Sequence, residues 1–206
     1  MGNNSQNSIQ YWLALKLVPR LAINKKIALV ETFGLAALFS FNGQSSILTS
    51  ANGLSAKQLS AFYQPDWQKI SNIIQASTAC NSVIVCFDDI YYPQLLKQIY
   101  DPPLLLFVQG NVRLLSAKQL AIVGSRFASP KGRETAFDIA KQLAELKFIV
   151  TSGLALGIDA AAHRGTLGTL GATIAVVATG LDKVYPARHC DLAAKIIENN
   201  GHTNTY

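Results

Sequence analysis

The chain has 206 residues, 50% of them hydrophobic and 15% charged, which is enough apolar mass for one full domain plus a small second one and excludes global disorder. No apolar run reaches the roughly 18–20 residues of a membrane span, and the polar start MGNNSQNSIQYW lacks the basic and apolar regions of a signal peptide, so a soluble cytoplasmic protein with no membrane partner is expected. The net charge of +6 is unevenly spread: six basic residues face two acids through position 75, whereas nine face seven from 119 onward. Such a balance favours polyanionic partners without naming one. Cys80, Cys86 and Cys190 form neither a CxxC pair nor an even set, which argues against a disulfide framework or a zinc site. Cys86, inside an apolar run, is expected in the core.

In chain order, residues 1–75 read as a small helical module. Tyr11, Trp12, Leu15 and Val18, then Ile27, Leu29, Val30 and Phe33, recur at helical spacing. Gly34 reads as a helix end and Ser55 as an N-cap, with turns in the Asn-, Gly- and Ser-rich stretch 42–53. Residues 76–118 form a bridge. SVIVCF and LLLFVQG read as strands, DDIYYPQLLKQI as a turn and short helix, and DPP at 101–103 as a break. From 119 to 206, QLAIVG, FIVTSG and TIAVVATG alternate with RETAFDIAKQLAEL, IDAAAHRGTL and CDLAAKIIENN. This alternation predicts a parallel sheet covered on both faces.

Ligands of such sheets lie beyond the carboxyl ends of the strands, and here each strand runs into a glycine-bearing loop. The first loop offers Gly124, Ser125, Arg126, Ser129 and Lys131 before a helix N-terminus, a set suited to phosphate oxygens. It is neither a Walker loop nor GxGxxG, so neither nucleotide hydrolysis nor NAD binding is implied and no cofactor is expected. The second loop carries Ser152, Gly153 and Gly157, whose backbone amides are expected to turn inward as an anion nest. Asp159 reads as a cap of its own helix. Asp159 and His163 share a helix face without a third ligand, so no metal site is expected, and His163 reads as a structural hydrogen-bonding residue. The third loop supplies Lys183, Arg188 and His189 as charges and Tyr185 as a stacking surface or rigid turn. Each loop alone is also compatible with an ordinary turn bearing solvated cations. Three together on one edge argue for phosphate binding.

AIVGSRFASPKG, TSGLALGIDAAAH and ATGLDKVYPARH, in that order, resemble the DNA-processing protein A (DprA/Smf) family, and FDDIYYPQLLKQIYDPPLLLFVQGN resembles its lead-in. The similarity covers about 82–201, and the helical N-terminal part is similar in position and length to the family's SAM-like module. The resemblance implies a Rossmann-like α/β fold and a non-catalytic protein. Its implied role is to bind and protect single-stranded DNA and to help load a RecA-type recombinase in natural transformation. It maps the family's motifs onto Gly124, Ser125, Arg126, Ser152, Gly153, Gly157, Ile158, Asp159, Gly180, Leu181, Asp182, Tyr185 and Pro186, with Lys183 and Arg188 as basic candidates. It carries over no catalytic residues. Two departures stand out. The turn VPRLAINKK at 18–26 lacks the glycines of DNA-gripping hairpins. The chain stops at GHTNTY where the family continues, so a sheet incomplete at its C-terminus is expected, without much of the surface that the family's homodimer uses. Two other readings stay open. One is a Rossmann-like nucleotide-binding or nucleotide-cleaving enzyme, although its PGGxGT-type loop is absent. The other is a non-functional fragment that retains the motifs.

Overall fold

The computed structural model describes residues 3–39, 48, 53–199 and 202–205. The chain divides into two compact units. One comprises Met1–Ser77, Cys86–Asp89 and Gln94–Leu105, and the other Thr78–Val85, Ile90–Pro93 and Leu106–Tyr206.

The first unit is helical: α1 (Asn3–Leu17), α2 (Ile23–Phe33), α3 (Ala56–Tyr63) and most of α4 (Trp67–Ala79). The helical spacing is realised as burial, with Trp12, Leu15, Val18 and Leu29 all in the core. Gly34 ends α2 at φ +80°, where a side chain would be strained. Ser55 caps α3 in a full capping box with Gln58, which satisfies two otherwise orphaned amides. Most of the turn-rich stretch 42–53 lies outside the described residues. Lys26 is buried and donates from Nζ to the Lys16 carbonyl at the end of α1 (3.0 Å). Burial, then Lys16, pulls its pKa down to about 8, and Asp101 opposes the shift. Cys86 is buried as expected; desolvation, then Asp88 and Asp89, pushes its thiol up to about 12, which leaves it an inert core residue.

The second unit holds the sheet, ordered β1 (Ser82–Cys86), β2 (Leu105–Gly110), β6 (His202–Thr205), β5 (Thr173–Val177), β4 (Ile149–Ser152) and β3 (Gln119–Ala121). Strands β3 to β6 run parallel, while β2 pairs antiparallel to β6. The tail that reads as a bare chain end thus forms a strand inside the sheet. HTNT is too short and too polar to announce a strand, and pairing on both sides identifies it.

Three helices connect the parallel strands: α5 (Pro130–Glu145), α6 (Ile158–Leu167) and α7 (Cys190–Glu198). Leu120, Val150 and Thr173 pair in register and therefore share a face. Ala140 of α5 and Ala162 of α6 pack on Val150, and Ala160 of α6 with Leu192 and Ile196 of α7 pack on Ala175 and Val177. All three helices consequently cover the same face, while Ile149 and Ile174, which alternate onto the other face, are buried as well. The strands step β3, β4, β5, β6 in one direction, and right-handed crossovers then all land on one side. On the opposite side Gln119 and Ala121 are exposed, as is Val123 at 74%. The apolar run QLAIVG therefore forms an edge strand with an open face.

Helices α5 and α6 lie very close. A Cβ on Gly165 would come within 2.2 Å of the Phe137 carbonyl oxygen, and Ala136, Ala140 and Ala144 keep the facing surface small. Between α6 and α7 the packing is looser and leaves an open cleft.

Candidate functional site

The carboxyl ends of β3, β4 and β5 are neighbours, so the three loops stand side by side across about 10 Å of sheet edge. They are also fastened to one another. Gly157, at φ +78°, packs so tightly that a Cβ would lie 2.1 Å from the Ser125 carbonyl oxygen, and that same carbonyl accepts from the Ile158 amide at 3.2 Å. A Cβ on Gly124 would meet the Ile158 side chain at 2.7 Å. These two glycines let the first loop rest directly on the start of α6. The second and third loops are joined by His189, which is buried and donates from Nδ1 to the Leu154 carbonyl (2.8 Å). His189 is therefore a tie between loops, not the surface charge that its place beside Arg188 suggests.

In the first loop Ser125 Oγ accepts from the Phe127 amide (3.0 Å), and Ser129 caps α5 by accepting from the Gly132 amide (3.1 Å). A hydroxyl that accepts an amide still has its own proton to donate, so both serines shape the loop and remain donors. Arg126 is exposed, and no ion pair engages it among the described residues. Lys131 instead pairs with Glu134 at 3.0 Å on the exposed flank of α5, which dilutes its charge. Phe127 projects almost fully into solvent at 93% exposure.

The second loop departs from its sequence reading. Ser152 is buried and donates to the Ile122 carbonyl (2.6 Å), holding β4 to the end of β3, so its proton is engaged within the sheet. Of the amides expected to turn inward as an anion nest, that of Gly153 is already occupied, together with that of Ala155. Gly153 and Ala155 both donate to Oδ2 of Asp159, at 3.1 and 3.4 Å. Asp159 is the nest's own anion. It reaches back into the loop and does not cap α6, whose N-cap is Gly157. The sequence signal was present in the i, i+4 and i, i+6 spacing of 155, 153 and 159, but it does not tell an internal carboxylate from an external phosphate. His163 is fully buried; its Nδ1 donates to Thr173 Oγ1 (2.8 Å), which in turn donates to the Val150 carbonyl (2.6 Å). Desolvation, then His189, lowers its pKa to about 3, and Nε2 has no partner among the described residues. It acts as a neutral structural residue, as its sequence position suggested.

In the third loop Lys183, Arg188 and Tyr185 are all exposed, Tyr185 at 66%, while Leu181 and Val184 anchor the loop on the core. Gly180 turns the chain by accepting from the Lys183 amide. The outward-facing set is therefore Arg126, Lys183, Arg188, the two serine hydroxyls, Phe127 and Tyr185. Ser152 and Gly157 form the frame beneath, and Gly124 and Gly153 are exposed beside them. Among the described residues no group of three or more His, Cys, Asp or Glu side chains could hold a metal ion, and no helix is long and apolar enough to cross a membrane.

The family model of the DNA recombination-mediator protein A matches residues 83–204. The chain belongs to that family. Protein Smf of Escherichia coli K12 is 34% identical over 156 residues, covering 76% of this chain and 42% of its own length. The X-ray structure of DNA processing protein A from Streptococcus pneumoniae superposes with a TM-score of 0.74 at 29% identity, covering 95% of this chain and 66% of that one. DNA processing protein A of Helicobacter pylori, solved for its single-stranded DNA binding mode, gives a TM-score of 0.52 at 27% identity, with 61% of this chain and 56% of that one covered. The α/β fold with a parallel sheet is thus the recombination-mediator fold that the motifs imply. The chain spans less than half the length of the E. coli relative and about two thirds of the S. pneumoniae chain.

Proposed function

We propose that this member of the recombination-mediator family binds single-stranded DNA along the loop edge of β3, β4 and β5. The observation that carries this reading is three exposed cations, Arg126, Lys183 and Arg188, that no ion pair engages among the described residues, on loops locked together by Gly157 and His189 and flanked by exposed Phe127 and Tyr185. The likeness to the H. pylori protein supports it. Arginine and lysine neutralise successive phosphates, the serine hydroxyls donate to phosphate oxygens, and the aromatic rings stack unpaired bases. A duplex, with its bases already stacked, gains nothing from those rings. Such contacts read the backbone and predict little sequence preference.

The role that follows is a binding one: to protect incoming single strands and help load a RecA-type recombinase in natural transformation, in the cytoplasm and without catalysis. The test is binding of a labelled single-stranded oligonucleotide against its duplex across a salt series. Single strands should bind more tightly, and Arg126→Ala should weaken binding to all sequences and lower the salt dependence by about one counterion. Equal affinity for both forms, or an unchanged salt slope in Arg126→Ala, would overturn the assignment.

A further inference from the structure

We infer that the cleft between α6 and α7 is a second binding track for the same single strand, continuing from Arg188 along the flank of the domain; this rests on the single-strand reading above. The cleft has a volume of about 400 Å³ and is lined by Arg164 of α6, by Arg188 just before α7, by Asp191 and Lys195 of α7 and by Asn199 at its end. Three cations face one carboxylate. All four side chains are exposed, and no ion pair engages them among the described residues. Arg188 belongs both to the third loop and to the cleft mouth, which makes the two basic surfaces continuous.

The dimensions suit a phosphodiester backbone better than a compact anion. From Asp191 to Asn199 the cleft follows α7 for about 12 Å at the helical rise, and a stacked strand presents a phosphate about every 3.4 Å, so about three to four phosphates fit beside three cations. Gly168 at the end of α6 keeps the opposite wall low. The walls, which also carry Leu167 and Leu192, offer no ring for stacking, so the track holds backbone and leaves bases to solvent. Arg164 and Lys195 also stand in the last turns of α6 and α7, where a cation offsets the helix dipole. That role alone predicts an effect on stability and none on DNA.

The experiment measures affinity and salt slope for oligothymidylates of increasing length with the wild-type chain, the double variant Arg164→Gln/Lys195→Gln, Asp191→Asn, and Arg126→Ala as the loop-edge reference. The double variant should bind the shortest oligonucleotides like wild type. It should lose the further gain that wild type shows with length, and its salt slope for long ones should fall by about 1.4, corresponding to two phosphate contacts on a single strand. Asp191→Asn, which removes the one carboxylate that lines the cleft among the described residues, should tighten binding of long oligonucleotides only. If the double variant melts at a lower temperature but keeps the wild-type length dependence and slope, and Asp191→Asn changes nothing, the cleft holds no DNA and the inference falls while the loop-edge reading stands. If Arg126→Ala is also without effect, the loop-edge reading falls with it.

Discussion

Burying His163 ties the stability of the sheet unit to pH. The imidazole is fully buried and held neutral, with its pKa lowered from 6.5 to about 3, while its orphaned Nε2 offers an added proton no acceptor. The folded pKa lies below the unfolded one, so the unfolded chain binds the extra proton between about pH 6.5 and pH 3. Stability is therefore fully present above pH 6.5 and is lost as the pH falls through that window. At pH 5 the loss is about 2 kcal/mol, from 1.36 kcal/mol per pH unit over about one and a half units. For a chain of this size that corresponds to about 4–8 °C in Tm. Replacing the ring by His163→Leu leaves the Thr173 hydroxyl bonded to Val150 and removes the titrating group. Urea unfolding at pH 7.5 and pH 5 should show the wild type losing about 2 kcal/mol more than the variant between the two pH values, because carboxylate effects common to both cancel in the difference. Parallel losses, within about 0.5 kcal/mol, would refute the argument.

Gly157→Ala forces a side chain into a positive-φ position and onto the Ser125 carbonyl, so it should destabilise by at least about 2 kcal/mol and weaken oligonucleotide binding by releasing the first loop; an unchanged Tm would contradict the locking of the loops. Gly165→Val drives a branched side chain into the Phe137 backbone and should separate α5 from α6, costing about 1–3 kcal/mol in chemical denaturation with a smaller effect on DNA affinity than Gly157→Ala. Ser152→Ala should behave as a stability variant, losing about 1 kcal/mol with the bond to Ile122, and an unaltered oligonucleotide affinity checks that its hydroxyl does not serve the ligand.

The strand–loop–helix rhythm from Gln119 to Glu198 was legible because apolar strand runs and glycine-bearing loops signal at short range. Ser55 and Gly34 were legible for the same reason. What escaped depended on partners distant in sequence. Whether Ser152 and His189 turn in or out is decided by the Ile122 and Leu154 carbonyls, which neither local pattern names. The loop amides of Gly153 and Ala155 look the same from sequence whether they await a phosphate or hold Asp159. Arg164 and Lys195 stand on different helices, and only the crossing of α6 and α7 brings them to one cleft. The face left open beside Val123 follows from strand order, a global property invisible in an apolar run.

The place of β6 between β5 and β2 also sets an order of assembly. Gly110 of β2 meets His202 of β6 across about ninety residues, whereas β4 and β5 are joined through a single crossover helix. Closing so long a loop costs about 4 kcal/mol of chain entropy, and among the described strands β6 is the one that links β2 to β5. Non-local pairings of this kind slow folding. During synthesis β1 and β2 emerge before any of the parallel strands, yet they wait for residues 202–205 before they can join them. The earliest strands of the chain are the last that the parallel sheet can receive.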